Sequence, residues 1–169
     1  MLSRGFRLFV LASALFLSVF LITAGRSQAQ DNTATPAAEE EKPYKIEKDG
    51  TVDWATFSGF RRFNSECFVC HGPDGVGSSF APALIDSLKT MTYEQFLDVV
   101  TNGKTEVNTA VQKKMPTFGT NPNVMCYIDD IYAYLKARSD GLVGRGRPAK
   151  HQPKSDEAKQ AENACMGTN

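Results

Sequence analysis

The chain has 169 residues, 41% of them hydrophobic and 22% charged, an ordinary globular composition with room for one modest domain plus appendages. Its 19 basic residues balance 19 acidic ones, and setting aside residues 1–29, which hold Arg4, Arg7 and Arg26 but no acid, leaves 16 against 19. A mildly acidic balance gives no electrostatic footprint for nucleic acid, which would call for a concentrated basic face, and favours another protein as partner.

Residues 1–29 read as a secretion signal. Arg4 and Arg7 precede the apolar run Leu8 to Ala24, and Ser27-Gln28-Ala29 supplies small residues for cleavage, so the mature protein is expected to begin near Gln30 in the periplasm. The rival reading is an uncleaved anchor, because a run of about 17 residues approaches the ~20 needed to span a bilayer. Residues 30–52 are expected to be a flexible leader: the stretch 30–45 is polar, carries Pro36 and Pro43, and shows no apolar period.

The folded domain is expected over residues 53–141. From Asp53 the pattern turns helical, with Trp54, Phe57, Phe60 and Phe63 spaced to line one side. This helix runs into Cys67-Phe68-Val69-Cys70-His71. Four cysteines in an exported chain would first suggest two disulfides. C-x-x-C-H, however, is the haem-attachment signature: two thiols add to the porphyrin vinyl groups and the adjacent imidazole reaches the iron. The cysteines must meet two fixed points on one macrocycle edge while the histidine lies beneath it, and one turn of helix satisfies all three. A thioredoxin-like pair would want a preceding strand and a βαβ pattern, and no strand is evident. A zinc site would want a second, closely spaced ligand pair, whereas Cys126 and Cys165 are 39 residues apart.

Gly75 to Ala83 reads as an irregular loop. Thr92 and Gln95 form a capping box for a short helix stopped at Asn102-Gly103. Residues 104–120, mostly polar with Pro116 and Gly119, are expected to be a draped loop. Asn121 as N-cap and Pro122 at the first position open the last helix, with Val124, Ile128, Ile131, Tyr132 and Leu135 at helical spacing and Gly141 as its stop. Residues 142–169, rich in Lys, Arg, Gly and Gln, are expected to be a weakly ordered basic and polar tail, with the run Arg145 to Lys154 solvated. Cys126 and Cys165 either pair with each other or leave Cys126 as a small buried apolar residue.

A second axial ligand must come from elsewhere, and a thioether there raises the reduction potential. Beyond the signal, the methionines are Met91, Met115, Met125 and Met166. Met115 is the best placed, 44 residues after His71 in a loop long enough to wrap the ring and stiffened by Pro116. Met125, in the first turns of a helix, and His151 remain alternatives.

Gly59 and Phe63 ahead of Cys67, the Met115-Pro116-Thr117-Phe118-Gly119 run, and Ile131 to Lys136 in the terminal helix together resemble a class I cytochrome c. The resemblance covers roughly residues 53–140. It implies an all-α fold, three main helices wrapped around one covalently bound haem c. Its first and last helices cross nearly perpendicular, with Gly59 against Tyr134. It also implies that the Pro82 carbonyl accepts the His71 imidazole N–H, which fixes the ring and raises its basicity. The resulting site set is Cys67, Cys70, His71, Met115 and Pro82, with His71 and Met115 on the iron, in an electron-transfer protein rather than an enzyme.

A narrower resemblance comes from Cys70 to Ser78, Ala81-Pro82-Ala83-Leu84, Met115 to Leu135 with a cysteine inside it, and Gly144-Arg145-Gly146-Arg147-Pro148. These are similar to the cytochromes serving PQQ-dependent alcohol dehydrogenases, the cytochrome cL and XoxG-like group and its ethanol-oxidising relatives. The implied partners are such a dehydrogenase as electron donor and a downstream cytochrome or oxidase as acceptor, with the carrier itself a monomer. The alternatives are a periplasmic carrier for another dehydrogenase or oxidase and, in a different class, a haem enzyme or gas sensor with an open sixth position.

Overall fold

The computed structural model describes residues 41–107 and 112–168. The secretion signal and residues 30–40 of the leader lie outside the described residues. Asp53 caps the first helix, α1 (Trp54–Glu66), by accepting from the Thr56 N–H at 2.7 Å. That satisfies one of the donors left over at any helix start. The helix yields at Cys67 to a single further turn, α2 (Phe68–His71), followed by a 3₁₀ turn over Pro73–Gly75. Then come α3 (Leu84–Ser87), α4 (Tyr93–Asn102), β1 (Lys104–Val107), β2 (Gln112–Met115), α5 (Pro122–Met125), α6 (Ile128–Ser139) and α7 (Asp156–Met166).

The core is organised by the crossing of α1 and α6. Phe63, Tyr134 and Leu135 are fully buried, Ile131 and Phe57 nearly so. Removing one such side chain from water stabilises the fold by roughly 1.5–3 kcal/mol. The helices approach so closely at Gly59 that a Cβ there would collide with the Asp130 carbonyl and lie 2.9 Å from the Tyr134 Cβ. The Tyr134 ring fills the space on either side, edge-on to Phe60 at 5.6 Å and tilted against Phe63 at 5.7 Å. The expected pairing of Gly59 with Tyr134 is the pairing observed. The capping box of α4 also forms as read, with Thr92 and Gln95 each bonding the other's backbone N–H.

Four local expectations need correction. Residues 104–120 are not wholly a loop: β1 and β2 pair antiparallel with Lys104 opposite Met115 and Glu106 opposite Lys113. Both strands are too polar to show an apolar alternation, so their pairing left no periodic signal. The last helix is two pieces, because Tyr127 (φ −133°) breaks it. The break lets Val124 and Tyr127 both enter the core.

The leader is ordered at its end, with Tyr44 and Val52 buried and the Tyr44 hydroxyl donating to Asp140 at 2.5 Å. Residues 142–168 are ordered as well. Val143 is buried and its carbonyl accepts from Arg138 at 2.6 Å. His151 stacks on Phe57 at 3.6 Å, and Val52 exchanges backbone bonds with Lys150 and Gln152. Ser155 caps α7, and a disulfide joins Cys165 near its end to Cys126 with the Cα atoms 5.7 Å apart. Composition suggested disorder because it counts apolar residues, whereas this segment is held by a covalent bond and polar ties. Among the described residues, no helix is long and apolar enough to cross a membrane.

Candidate haem site

The turn α2 places Cys67, Cys70 and His71 together. Cys67 ends α1, and its carbonyl accepts from the N–H of Cys70 at 3.2 Å and of His71 at 3.0 Å. The two cysteines are therefore separated by one helical turn, with the histidine beside the second. Neither is in a disulfide; Cys67 is half-buried and Cys70 exposed. Burial, with smaller contributions from Glu66 and Cys70, pushes the Cys67 thiol up to about 12. A catalytic dithiol needs the opposite, a thiol whose pKa is lowered towards neutrality. The raised Cys67 thiol argues against the thioredoxin-like reading, as does the lack of a strand ahead of α1 among the described residues.

His71 is buried, and its Nδ1 lies 3.0 Å from the Pro82 carbonyl oxygen. A carbonyl only accepts, so Nδ1 carries a proton, and in the neutral ring Nε2 keeps its lone pair. Burial lowers the imidazole pKa and outweighs the opposing effect of the Pro82 bond. Burial thus favours the neutral form, and the Pro82 bond fixes the ring's direction, as a metal-binding imidazole requires. Together with two uncommitted thiols a helical turn apart, it suits a covalently attached haem.

The loop behind His71 is as tightly determined. Gly72 (φ 71°) and Gly77 (φ 86°) occupy left-handed conformations, and the Gly77 N–H closes the loop on the His71 carbonyl at 2.8 Å. A Cβ on Gly77 would lie 2.7 Å from the Ala83 nitrogen, so the loop abuts the segment that presents Pro82. Phe68, Val69, Val76 and Phe80 in this region are exposed.

Met115 ends β2, half-buried and packed against the core. The base of the hairpin is clamped to the end of α4 by the Phe118 N–H on the Val100 carbonyl and the Gly119 N–H on the Thr101 carbonyl. Gly103 (φ 74°) permits the close approach, since a Cβ there would sit 2.6 Å from the Met115 carbonyl. The other candidates lie in other elements. Met125 ends α5 and Met91 precedes α4, both packed on the core, and His151 is stacked on Phe57.

The sequence missed Asp74 and its partners. Asp74 is buried with φ 58°, in the turn directly after His71. It accepts from Arg145 Nε at 3.1 Å and from the Gly146 N–H at 2.8 Å. The basic run from Arg145 is therefore not a solvated tail at its start, and Arg147 lies over the Phe57 ring. The only prior signal was the pairing of a Pro-Asp-Gly turn with a distant Gly-Arg-Gly-Arg, which spacing alone cannot connect.

Residues 55–135 match the family described as cytochrome c oxidase, cbb3-type, subunit III. The chain is 60% identical over 129 residues to cytochrome c-553I of Paracoccus denitrificans, an alignment covering 76% of this chain and 57% of that relative's length. It is 41% identical over 102 residues to cytochrome c-555 of Methylococcus capsulatus, covering 60% of this chain and 76% of the relative. Among solved structures it is similar to the c-type cytochrome XoxG from Methylobacterium extorquens AM1, with 45% identity and a TM-score of 0.62, covering 76% of this chain and 84% of that one. These likenesses extend over most of the folded region, and this chain belongs to the c-type cytochromes, the electron-transfer proteins that carry covalently bound haem c.

Proposed function

We propose that this chain is a periplasmic electron carrier, reduced by a PQQ-dependent alcohol dehydrogenase of the methanol-oxidising type and oxidised by a downstream cytochrome or oxidase. The observation that carries the carrier reading is the His71 imidazole, held through Nδ1 by the Pro82 carbonyl so that Nε2 is left for an iron. Cys67 and Cys70 would hold the haem as thioethers, and His71 and Met115 would be its axial ligands. The haem supplies one reversible electron at the iron. The chain supplies direction, dryness and reach: it fixes the imidazole, packs Met115 against the core and leaves an apolar rim at Phe68, Val69 and Phe80 for a short-lived partner contact. Redox encounters of this kind bury less than about 1,200 Å². No general base or nucleophile is called for.

Support for the donor comes from the likeness to XoxG together with the Asn121 to Leu135 run, whose cysteine is now seen bonded to Cys165. Secretion through residues 1–29 would place the protein where such dehydrogenases work.

Met115→Ala tests the ligand set. The purified variant is expected to lose the thioether, bind carbon monoxide rapidly when reduced and show a substantially lower potential. An unchanged potential would refute Met115 as ligand. Stopped-flow mixing with reduced PQQ-dependent dehydrogenases tests the donor. Failure of all of them to reduce the cytochrome at useful rates would leave a carrier for a different dehydrogenase or oxidase.

A further inference from the structure

The segment after α6 does more than end the chain. Arg138 holds the Val143 carbonyl, and two residues later Arg145 and Gly146 both bond Asp74. Asp74 is the one non-glycine residue among those described with a positive φ, and its carboxylate side chain is only 9% exposed. A buried carboxylate in a left-handed turn is costly unless its oxygens are satisfied. Here the satisfying groups come from 71 and 72 residues away. Burial, then the Asp74 charge, pushes the Tyr134 hydroxyl up to about 12.

The turn that Asp74 occupies touches the histidine from two directions. It begins one residue after His71 and closes back on the His71 carbonyl through Gly77, and Gly77 lies against Pro82 and Ala83. Any relaxation of the turn therefore moves the Pro82 carbonyl relative to the imidazole it accepts from.

We propose that Asp74, clasped by Arg145 and Gly146, is a positioning residue that holds the Pro82 carbonyl on His71 Nδ1 and so helps to set the haem potential. This rests on the reading of His71 as an iron ligand. A tight Nδ1–H···O bond makes the imidazole more basic and favours the oxidised iron. Loosening it shifts the potential upward.

Two variants of the haem-loaded protein separate positioning from simple charge. Asp74→Asn removes a negative charge and weakens both ties; Arg145→Ala removes a positive charge from a side chain that is 72% exposed and leaves the fold's core untouched. If the clasp acts by positioning, both variants raise the potential and both move the His71 Nδ1–H proton resonance in the same direction. If it acts only by charge, the two potentials move in opposite directions, which overturns the proposal. Unchanged potentials and resonance in Arg145→Ala overturn it equally, whether or not Asp74→Asn folds. A parent protein in which the His71 ring protons show no hyperfine shift from the iron overturns the ligand reading itself, and with it this one. Shifted protons in the parent with unmoved variants overturn the positioning alone.

Discussion

The α1/α6 crossing and the segment 142–168 stabilise the same domain by different physics. The crossing is dense and apolar: two backbones meet at Gly59, and Tyr134 is wedged between Phe60 and Phe63. The segment beyond α6 buries Val143 but nothing within α7, and is tied on by one disulfide, the Asp74 clasp, a ring stacked on Phe57 and a pair of backbone bonds to Val52. Close packing fails when shape changes by one methyl group, whereas a set of discrete ties fails one at a time. The first region should break cooperatively and the second locally.

The largest effect is expected where the backbones meet. In Gly59→Val, even the Cβ would collide with the Asp130 carbonyl, which is backbone and cannot swing aside. Overpacking an ordinary core costs about 1–3 kcal/mol; forcing two helices apart also opens the contacts around Tyr134. Against a typical stability of about 5–15 kcal/mol, the variant should show no cooperative unfolding transition by circular dichroism. A normal melting curve would mean that the crossing tolerates separation and that the contrast is wrong.

The disulfide tests the other side. Cys126 and Cys165 are separated by 39 residues, and in the chain-entropy account closing a loop of that size is worth roughly 4 kcal/mol. The double substitution Cys126→Ser/Cys165→Ser leaves Cys67 and Cys70 for the haem. Its denaturation midpoint should fall, with amide exchange accelerating first in α7 while α6 keeps its protection. Equal acceleration in both helices would show that the tail and the crossing form one unit.

The same contrast explains what could be read in advance. Features set by local chemistry were legible: Thr92 with Gln95, and Asn121, cap helices as read, and the Cys67 to His71 run dictates its own turn. Gly59 and Tyr134 were legible only through the resemblance to class I cytochromes c, which implies their pairing, because a glycine inside a helix does not by itself name what it packs against. The hairpin was not, since Thr105 and Glu106 face Lys114 and Lys113, and Lys104 faces Met115, a set with no apolar alternation. The break at Tyr127 involves neither proline nor glycine. The clasp on Asp74 depends on two residues more than 70 positions distant, and no periodicity reports such a pairing. Even α7 had its signal, Ser155 ahead of Asp156 and Glu157 with Gly167 (φ 69°) as stop, but a polar composition outweighed it.

The smallest effect lies at the edge of the crossing, where pH should reach it. Asp130 sits on α6 at the point of closest approach, and burial raises its pKa from 3.8 to about 6; Ser58 opposes the shift, while Asp129, Asp53 and Glu162 add to it. A raised carboxyl means that the folded state holds the proton more tightly than the unfolded one. Stability from this group is therefore fully present below about pH 4, declines as pH rises between the two values, and is lost above about pH 6. At about 1.4 kcal/mol per pKa unit the swing is roughly 2–3 kcal/mol. Asp130→Asn removes the ionisation, so at pH 7 it should be more stable than the parent by about 2 kcal/mol, and the advantage should vanish near pH 4. Denaturant midpoints measured for both proteins across that range check it. A difference that stays constant with pH would mean that Asp130 titrates as an ordinary surface acid and that the crossing is wetter at its rim than its packing implies.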